Sequence, residues 1–146
     1  MEGDLFVRSL WQRIPLAGRL SLDAAMLLSM AVLTAWAAVP SVEAATQLLG
    51  LAHQHLGAGL TGFEMMGQFA LHLVDKHFPQ LRVPLWQDSP YCVLLENSDN
   101  ESESHARERF EQLLETALEA NLVSDAVVAE NMTQAKNLWH IRESIS

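Results

Sequence analysis

The sequence predicts an α+β domain: a ferredoxin-like antiparallel sheet with helices on one face, elaborated, behind an irregular or helical N-terminal segment. Three observations predict it. From residue 34, apolar runs alternate with helical stripes in the order strand, helix, strand, extra helix, strand, helix, strand, helix. Without the extras this order is βαββαβ. The chain of 146 residues is 49% apolar and 18% charged, a globular composition long enough to bury a core. No repeat recurs at a fixed short period.

Residues 1–33 are mixed in character and form a segment of their own; the folded domain is read over 34–146. The run 34–39 (TAWAAV) reads as a buried strand stopped by Pro40, with Ser41 placed to cap a helix. Val42, Ala45, Leu48, Leu49, Ala52 and Leu56 then recur at helical spacing, and Gly57 ends that helix. Residues 60–66 (LTGFEMM) read as a second strand and 68–77 as a short helix, closed by Pro79. A proline-punctuated loop leads to the clearest strand, 91–96 (YCVLLE). The acidic stretch 97–103 reads as a solvated turn, and Ser104 as the next cap. Phe110, Leu113, Leu114, Ala117 and Leu118 form the stripe of a helix that Asn121 ends. A strand over 122–129 and a last helix from Asn131 or Thr133 complete the order.

The formal net charge of −9, without a basic stripe, argues against nucleic acid and against a polybasic membrane-surface role. Cys92 is the only cysteine, which suits a reducing compartment, the cytoplasm or the mitochondrial matrix. Residues 24–39 carry no charge, but this run falls short of the roughly 20 residues that span a membrane. Arg8, Arg13 and Arg19 precede it as in a signal peptide, yet the long lead-in is broken by Glu2, Asp4 and Asp23. A buried helix or strand running into the first core strand is the preferred reading.

The motifs exclude more than they assign. Residues 57–62 (GAGLTG) match G-x-G-x-x-G, but a dinucleotide fingerprint follows a strand and opens a helix. Here a helix precedes and a strand follows, so the glycines read as a helix stop and a flexible turn. Among His53, His55, His72, His77, His105 and His140 no pair has the i,i+4 spacing of a helical metal site, and no metal is expected. Cys92 lies inside an apolar strand and reads as an inert core thiol. Glu64 interrupts an apolar strand; it belongs to a wet sheet face or is aimed at a specific partner.

The last helix is more informative. At about 100° per residue, Ala135, Leu138, Trp139 and Ile145 form its apolar stripe, with Lys136, Asn137, His140, Glu143 and Ser144 away from it. Arg142 projects near the middle of that stripe, and Ser146 follows on the same side. A buried guanidinium must be paired, and its fork suits a carboxylate. Whether that carboxylate belongs to a ligand or to the protein stays open from spacing alone.

Four segments, GLTGFEMM (59–66), PYCVLLENS (90–98), LVSDAVVAEN (122–131) and above all QAKNLWHIRES (134–144), resemble the C-terminal domain of FAD-linked oxidases. That family includes D-lactate, D-2-hydroxyglutarate and glycolate dehydrogenases. The resemblance covers residues 34–146 and implies an elaborated ferredoxin-like fold on the substrate side of an FAD-dependent enzyme. The implied reaction oxidises a 2-hydroxy acid to a 2-oxo acid. It implies that Arg142 binds the substrate carboxylate, that Ser146 adds a hydroxyl and that Trp139 walls the pocket. The family's FAD-binding domain should precede this region, while a lysine-bearing segment and a histidine-rich metal site should follow it. The chain therefore reads as a fragment, a truncated product or an alternative transcript, with FAD bound in the complete enzyme rather than by this piece. A non-catalytic interaction or regulatory module, or an inactive remnant, is the alternative.

Overall fold

The computed structural model describes residues 31–99 and 101–145. Strand β1 (Ala31–Val39) leads to helix α1 (Val42–Leu56), strand β2 (Leu60–Gly67) and helix α2 (Gln68–His77). Strand β3 (Tyr91–Asp99), helix α3 (Glu103–Glu119), strand β4 (Asp125–Val128) and helix α4 (Met132–Glu143) follow. The sheet order is β2-β3-β1-β4, and every neighbouring pair is antiparallel. This is the split arrangement expected of βαββαβ.

Alternation along the two central strands creates two cores. Leu33, Ala35, Ala37 and Val39 of β1 join Val93 and Leu95 of β3 on one face. There α1 supplies Ala44, Ala45, Leu48, Ala52 and Leu56, and α3 supplies Ala106, Phe110, Leu113, Leu114 and Ala117. The two long helices therefore share one face, as the strand and helix order requires. Trp36, Cys92 and Leu94 point the other way, into a second core. It is covered by Leu71 and Val74 of α2, Leu138 and Ile141 of α4, and Leu81 and Val83 of the intervening loop. This second layer is the elaboration. The buried Trp36 indole donates to the Pro84 carbonyl at 2.9 Å, so its polar edge is satisfied.

Local chemistry sets most boundaries. The Ser41 hydroxyl accepts from the Ala44 N–H, and Gly57 closes α1 at φ 53°, where a Cβ is disfavoured. The capping residue of α3 is Ser102 rather than Ser104: it is extended, and its hydroxyl accepts from the His105 N–H at 3.0 Å. Asn121 adopts φ 60° after the last turn of α3. The Leu122 N–H then bonds Ala117 O, and the Asn121 N–H bonds Leu118 O, a Schellman closure. That closure draws in Leu122 and Val123, so β4 is shorter than the run 122–129 promised.

Residues 97–99 belong to β3 rather than to a turn. The strand β1 begins at Ala31, before the expected residue 34, and so offers Leu33, Val32 and Ala31 as partners to Asn97, Ser98 and Asp99. Residues 1–30, including the first seven residues of the uncharged run and most of the segment read apart from the domain, lie outside the described residues, while 31–33 open β1. Among the described residues no helix is long and apolar enough to cross a membrane.

Two predictions follow from this packing. Cys92 is fully buried, and burial pushes its thiol up to about 12, with the Trp36 contact offsetting part of the effect. Native protein at about pH 8 should resist iodoacetamide and label only when denaturant opens the fold; rapid native labelling would contradict a buried β3. At the β3–α3 turn, burial works to raise the Asp99 carboxyl. The Glu101 N–H, the His105 ring and the Ser102 backbone outweigh it and hold the group below its ordinary value. Such a carboxylate stabilises the fold above its unfolded value near pH 4, and the contribution is lost as pH falls through the folded value. Asp99→Asn should therefore lower the urea midpoint at neutral pH and flatten its acid decline, the two proteins converging in acid. A parallel acid decline would contradict the assignment.

Candidate functional site

Helix α4 carries two of the residues singled out by the sequence, and its seating explains where they go. The Asn131 side chain accepts from the Gln134 N–H at 2.9 Å, and Gln134 Oε1 accepts from the N–H of Glu130, the residue before the cap, at 2.9 Å. These two bonds fix the start of the helix. Asn137 Nδ2 donates to Leu81 O at 2.8 Å, which ties the middle of the helix to the turn after α2. Leu138 and Ile141 enter the second core, flanked by Ala135, Trp139 and Ile145. Ile141 was missing from the stripe read in the sequence, yet it is fully buried.

The far half of α4 lies over β2 and β3. Register places Gly62 opposite Glu96 and Glu64 opposite Leu94, on the face of the second core. The Trp139 ring rests on Gly62: a Cβ there would sit 3.1 Å from Cζ2 and 3.3 Å from Cη2 of the indole. Trp139 Nε1 donates to Glu96 Oε2 at 3.1 Å, and the Thr61 hydroxyl donates to Glu96 Oε1 at 2.9 Å. Arg142, one turn on, stands beside Glu64 with Nε 3.4 Å from Oε2.

That ion pair corrects one expectation and sharpens another. Arg142 is not a buried guanidinium: its side chain is 37% exposed and that of Glu64 is 40% exposed. The long side chain leaves the stripe where α4 reaches the sheet edge, so its stem is covered while its head meets solvent. A pair this open and this long contributes little to stability, at most about 1 kcal/mol. The contact with Glu64 is made at Nε, and the guanidinium carries five N–H donors, more than one carboxylate oxygen can use. Glu64 combines both roles offered for it, a half-wet position and a specific partner. Ser146 lies outside the described residues. Glu96 was not singled out from the sequence. Its signal was parity: it shares the face of Cys92 and Leu94 at the end of the apolar stretch of β3.

The remaining motifs are structural. The glycine-rich run begins as a 3-10 turn (Gly57–Gly59) at the C-terminal end of α1, and Gly62 lies inside β2. Gly62 is thus a seat for Trp139 rather than part of a flexible turn. A helix C-terminus presents carbonyls, which repel a pyrophosphate, so this run does not fit an FAD cradle. His72 stacks on Trp86 at 5.3 Å between ring centroids, and His105 Nδ1 lies 2.6 Å from Asp99 Oδ2. Among the described residues no three His, Cys, Asp or Glu side chains converge as metal ligands.

Comparison with known proteins gives concordant matches. Residues 29–146 match the family model for FAD linked oxidases, C-terminal domain. The mitochondrial D-2-hydroxyglutarate dehydrogenase of Arabidopsis thaliana is 35% identical over 100 residues, 68% of this chain and 18% of the relative. A Schizosaccharomyces pombe protein provisionally named as a mitochondrial D-lactate dehydrogenase is 34% identical over 108 residues, 74% of this chain and 20% of its own. The mitochondrial D-2-hydroxyglutarate dehydrogenase of Rattus norvegicus is 33% identical over 116 residues, 80% of this chain and 21% of its own. The chain thus spans about a fifth of the length of these relatives.

The Gly62 seat is directly testable. Gly62→Ala should force the Trp139 ring off the sheet and lower stability by about 1–3 kcal/mol in urea unfolding, the usual cost of overpacking. Trp139 fluorescence should shift to longer wavelength as the ring becomes wetter. An unchanged midpoint with unchanged emission would show that the ring does not rest on Gly62.

Proposed function

The chain belongs to the family of FAD-linked oxidases, C-terminal domain, and from that premise we propose that it is a substrate-side segment of an FAD-dependent oxidoreductase converting 2-hydroxy acids to 2-oxo acids. The observation that carries this reading is the half-exposed Arg142, whose Nε lies 3.4 Å from Glu64 Oε2, with Trp139 one turn before it. A planar fork of this kind suits the carboxylate that every 2-hydroxy acid carries. The named relatives are dehydrogenases of D-2-hydroxyglutarate and D-lactate, both 2-hydroxy acids.

In this reading Arg142 binds and orients the carboxylate, Trp139 walls the pocket and excludes water, and Ser146 adds a hydroxyl. FAD, bound elsewhere in the complete enzyme, supplies the acceptor for the hydride. This chain is read as not holding the cofactor tightly by itself, since its one glycine-rich run sits at a helix C-terminus. The partner is an FAD-binding domain. Phe69, Leu73 and Phe78 support such docking: they are exposed large apolar side chains on and at the end of α2, and Phe69 is 74% exposed. The relatives are named mitochondrial; for this chain a reducing compartment, the mitochondrial matrix or the cytoplasm, is the reading that its single cysteine favours.

The competing reading, a module without catalysis, draws on the Arg142–Glu64 pair, which gives the guanidinium an internal partner. One experiment separates them. The chain replaces the matching segment of a D-2-hydroxyglutarate or D-lactate dehydrogenase, and FAD-dependent turnover is measured. Arg142→Ala should lower kcat/KM by ~30- to 1000-fold, on the order of 2–4 kcal/mol. Arg142→Lys should fall between, keeping charge but losing the fork. A change within about twofold for both acids would make Arg142 structural.

A further inference from the structure

We infer that Glu96 is a positioning residue that fixes the plane of the Trp139 indole beside Arg142. The assignment rests on the substrate-site reading of Trp139 and Arg142 above and adds the group that orients them. Four observations carry it. Each oxygen of the Glu96 carboxylate accepts a bond, Oε2 from the Trp139 Nε1–H at 3.1 Å and Oε1 from the Thr61 hydroxyl at 2.9 Å. The Thr61 oxygen also lies 3.1 Å from Ser98 Oγ, so a second hydroxyl braces the first. Register sets Glu96 directly across from Gly62, and Gly62 is where the six-membered ring of the indole rests. The ring is therefore held at two points, by van der Waals contact over Gly62 and by a charge-assisted hydrogen bond at its N–H.

Trp139 is only half-buried, and packing alone leaves such a ring free to choose among rotamers. Neighbouring chemistry explains why a carboxylate does the holding. The indole N–H is a donor only, a carboxylate is an acceptor only, and β3 is otherwise apolar where it faces α4. Glu96 thus meets the one polar demand of the ring without competing for Arg142, whose own carboxylate neighbour is Glu64. Trp139 and Arg142 are three residues apart on α4, so the plane of the indole shapes the space beside the guanidinium.

The test uses the full 146-residue chain labelled with 15N, the Trp139 indole peak being identified by its loss in Trp139→Phe. Glu96→Ala should move that peak upfield by more than its linewidth. Glu96→Gln, whose amide oxygen still accepts, should restore most of the shift. D-lactate is then titrated and followed at the Arg142 Nε–H. Its affinity should fall roughly tenfold in Glu96→Ala and recover in Glu96→Gln, as misplacement of a positioned group predicts. An indole peak unmoved by Glu96→Ala overturns the inference. So does a moved peak with unchanged D-lactate affinity, which would make the clamp purely structural. If the wild-type chain gives no D-lactate response while the indole peak still moves, the clamp stands, and loss of turnover on Arg142→Ala in the chimeric dehydrogenase decides the substrate reading separately.

Discussion

Strands β1 and β3 bury both of their faces, and the rest of the architecture answers that demand. Each face of a pleated strand carries every second side chain, so a doubly buried strand needs a cover on both sides. On one side α1 and α3 provide it through Leu48, Phe110 and Leu114. On the other, Trp36, Cys92 and Leu94 are closed over by α2, α4 and the loop carrying Leu81 and Val83. Each large apolar side chain removed from water contributes about 1.5–3 kcal/mol, and a one-residue slip of β3 would exchange the two sets. Register is therefore fixed before any residue of the candidate site is placed.

The second cover is also what makes a site. Helix α4 must lie over the sheet to shield Trp36 and Leu94, and its length carries it on to the β2 edge. There Gly62 provides a gap, Trp139 fills it, and Glu96 receives the indole N–H. One turn later Arg142 emerges beside Glu64, partly in solvent. Structural apolar contacts thus deliver a cation, two carboxylates and an aromatic wall to one border of the sheet. The exposed Phe69 and Leu73 on α2 lie on the same covered side of the molecule.

Much of this was legible in the residues. Ser41 and Gly57 bracket α1 by chemistry that acts within a few residues, and the stripe of α3 needs only its own period. The unbroken apolar run in YCVLLE identifies the central strand because both of its faces are apolar. What was not legible depends on partners distant in sequence. Asn97 and Asp99 are polar and read as a turn, but Leu33 and Ala31 pair with them and extend the strand. Ser102 and Ser104 are equivalent caps until the helix start selects one. Arg142 projects into an apolar stripe, and only the position of the sheet edge reveals that its head reaches solvent. Glu96 escaped notice because its importance comes from Trp139, which is 43 residues away.

The central claim is that α4, held over the second core, seats Trp139 on Gly62 and so brings Arg142 beside Glu64. The most direct measurement is the nuclear Overhauser contact between the Trp139 ring and the Gly62 backbone in the intact chain. The account predicts strong cross-peaks from the Hζ2 and Hη2 protons of Trp139 to the Gly62 Hα protons. Cross-peaks from that ring to other groups, with none to Gly62, would contradict it.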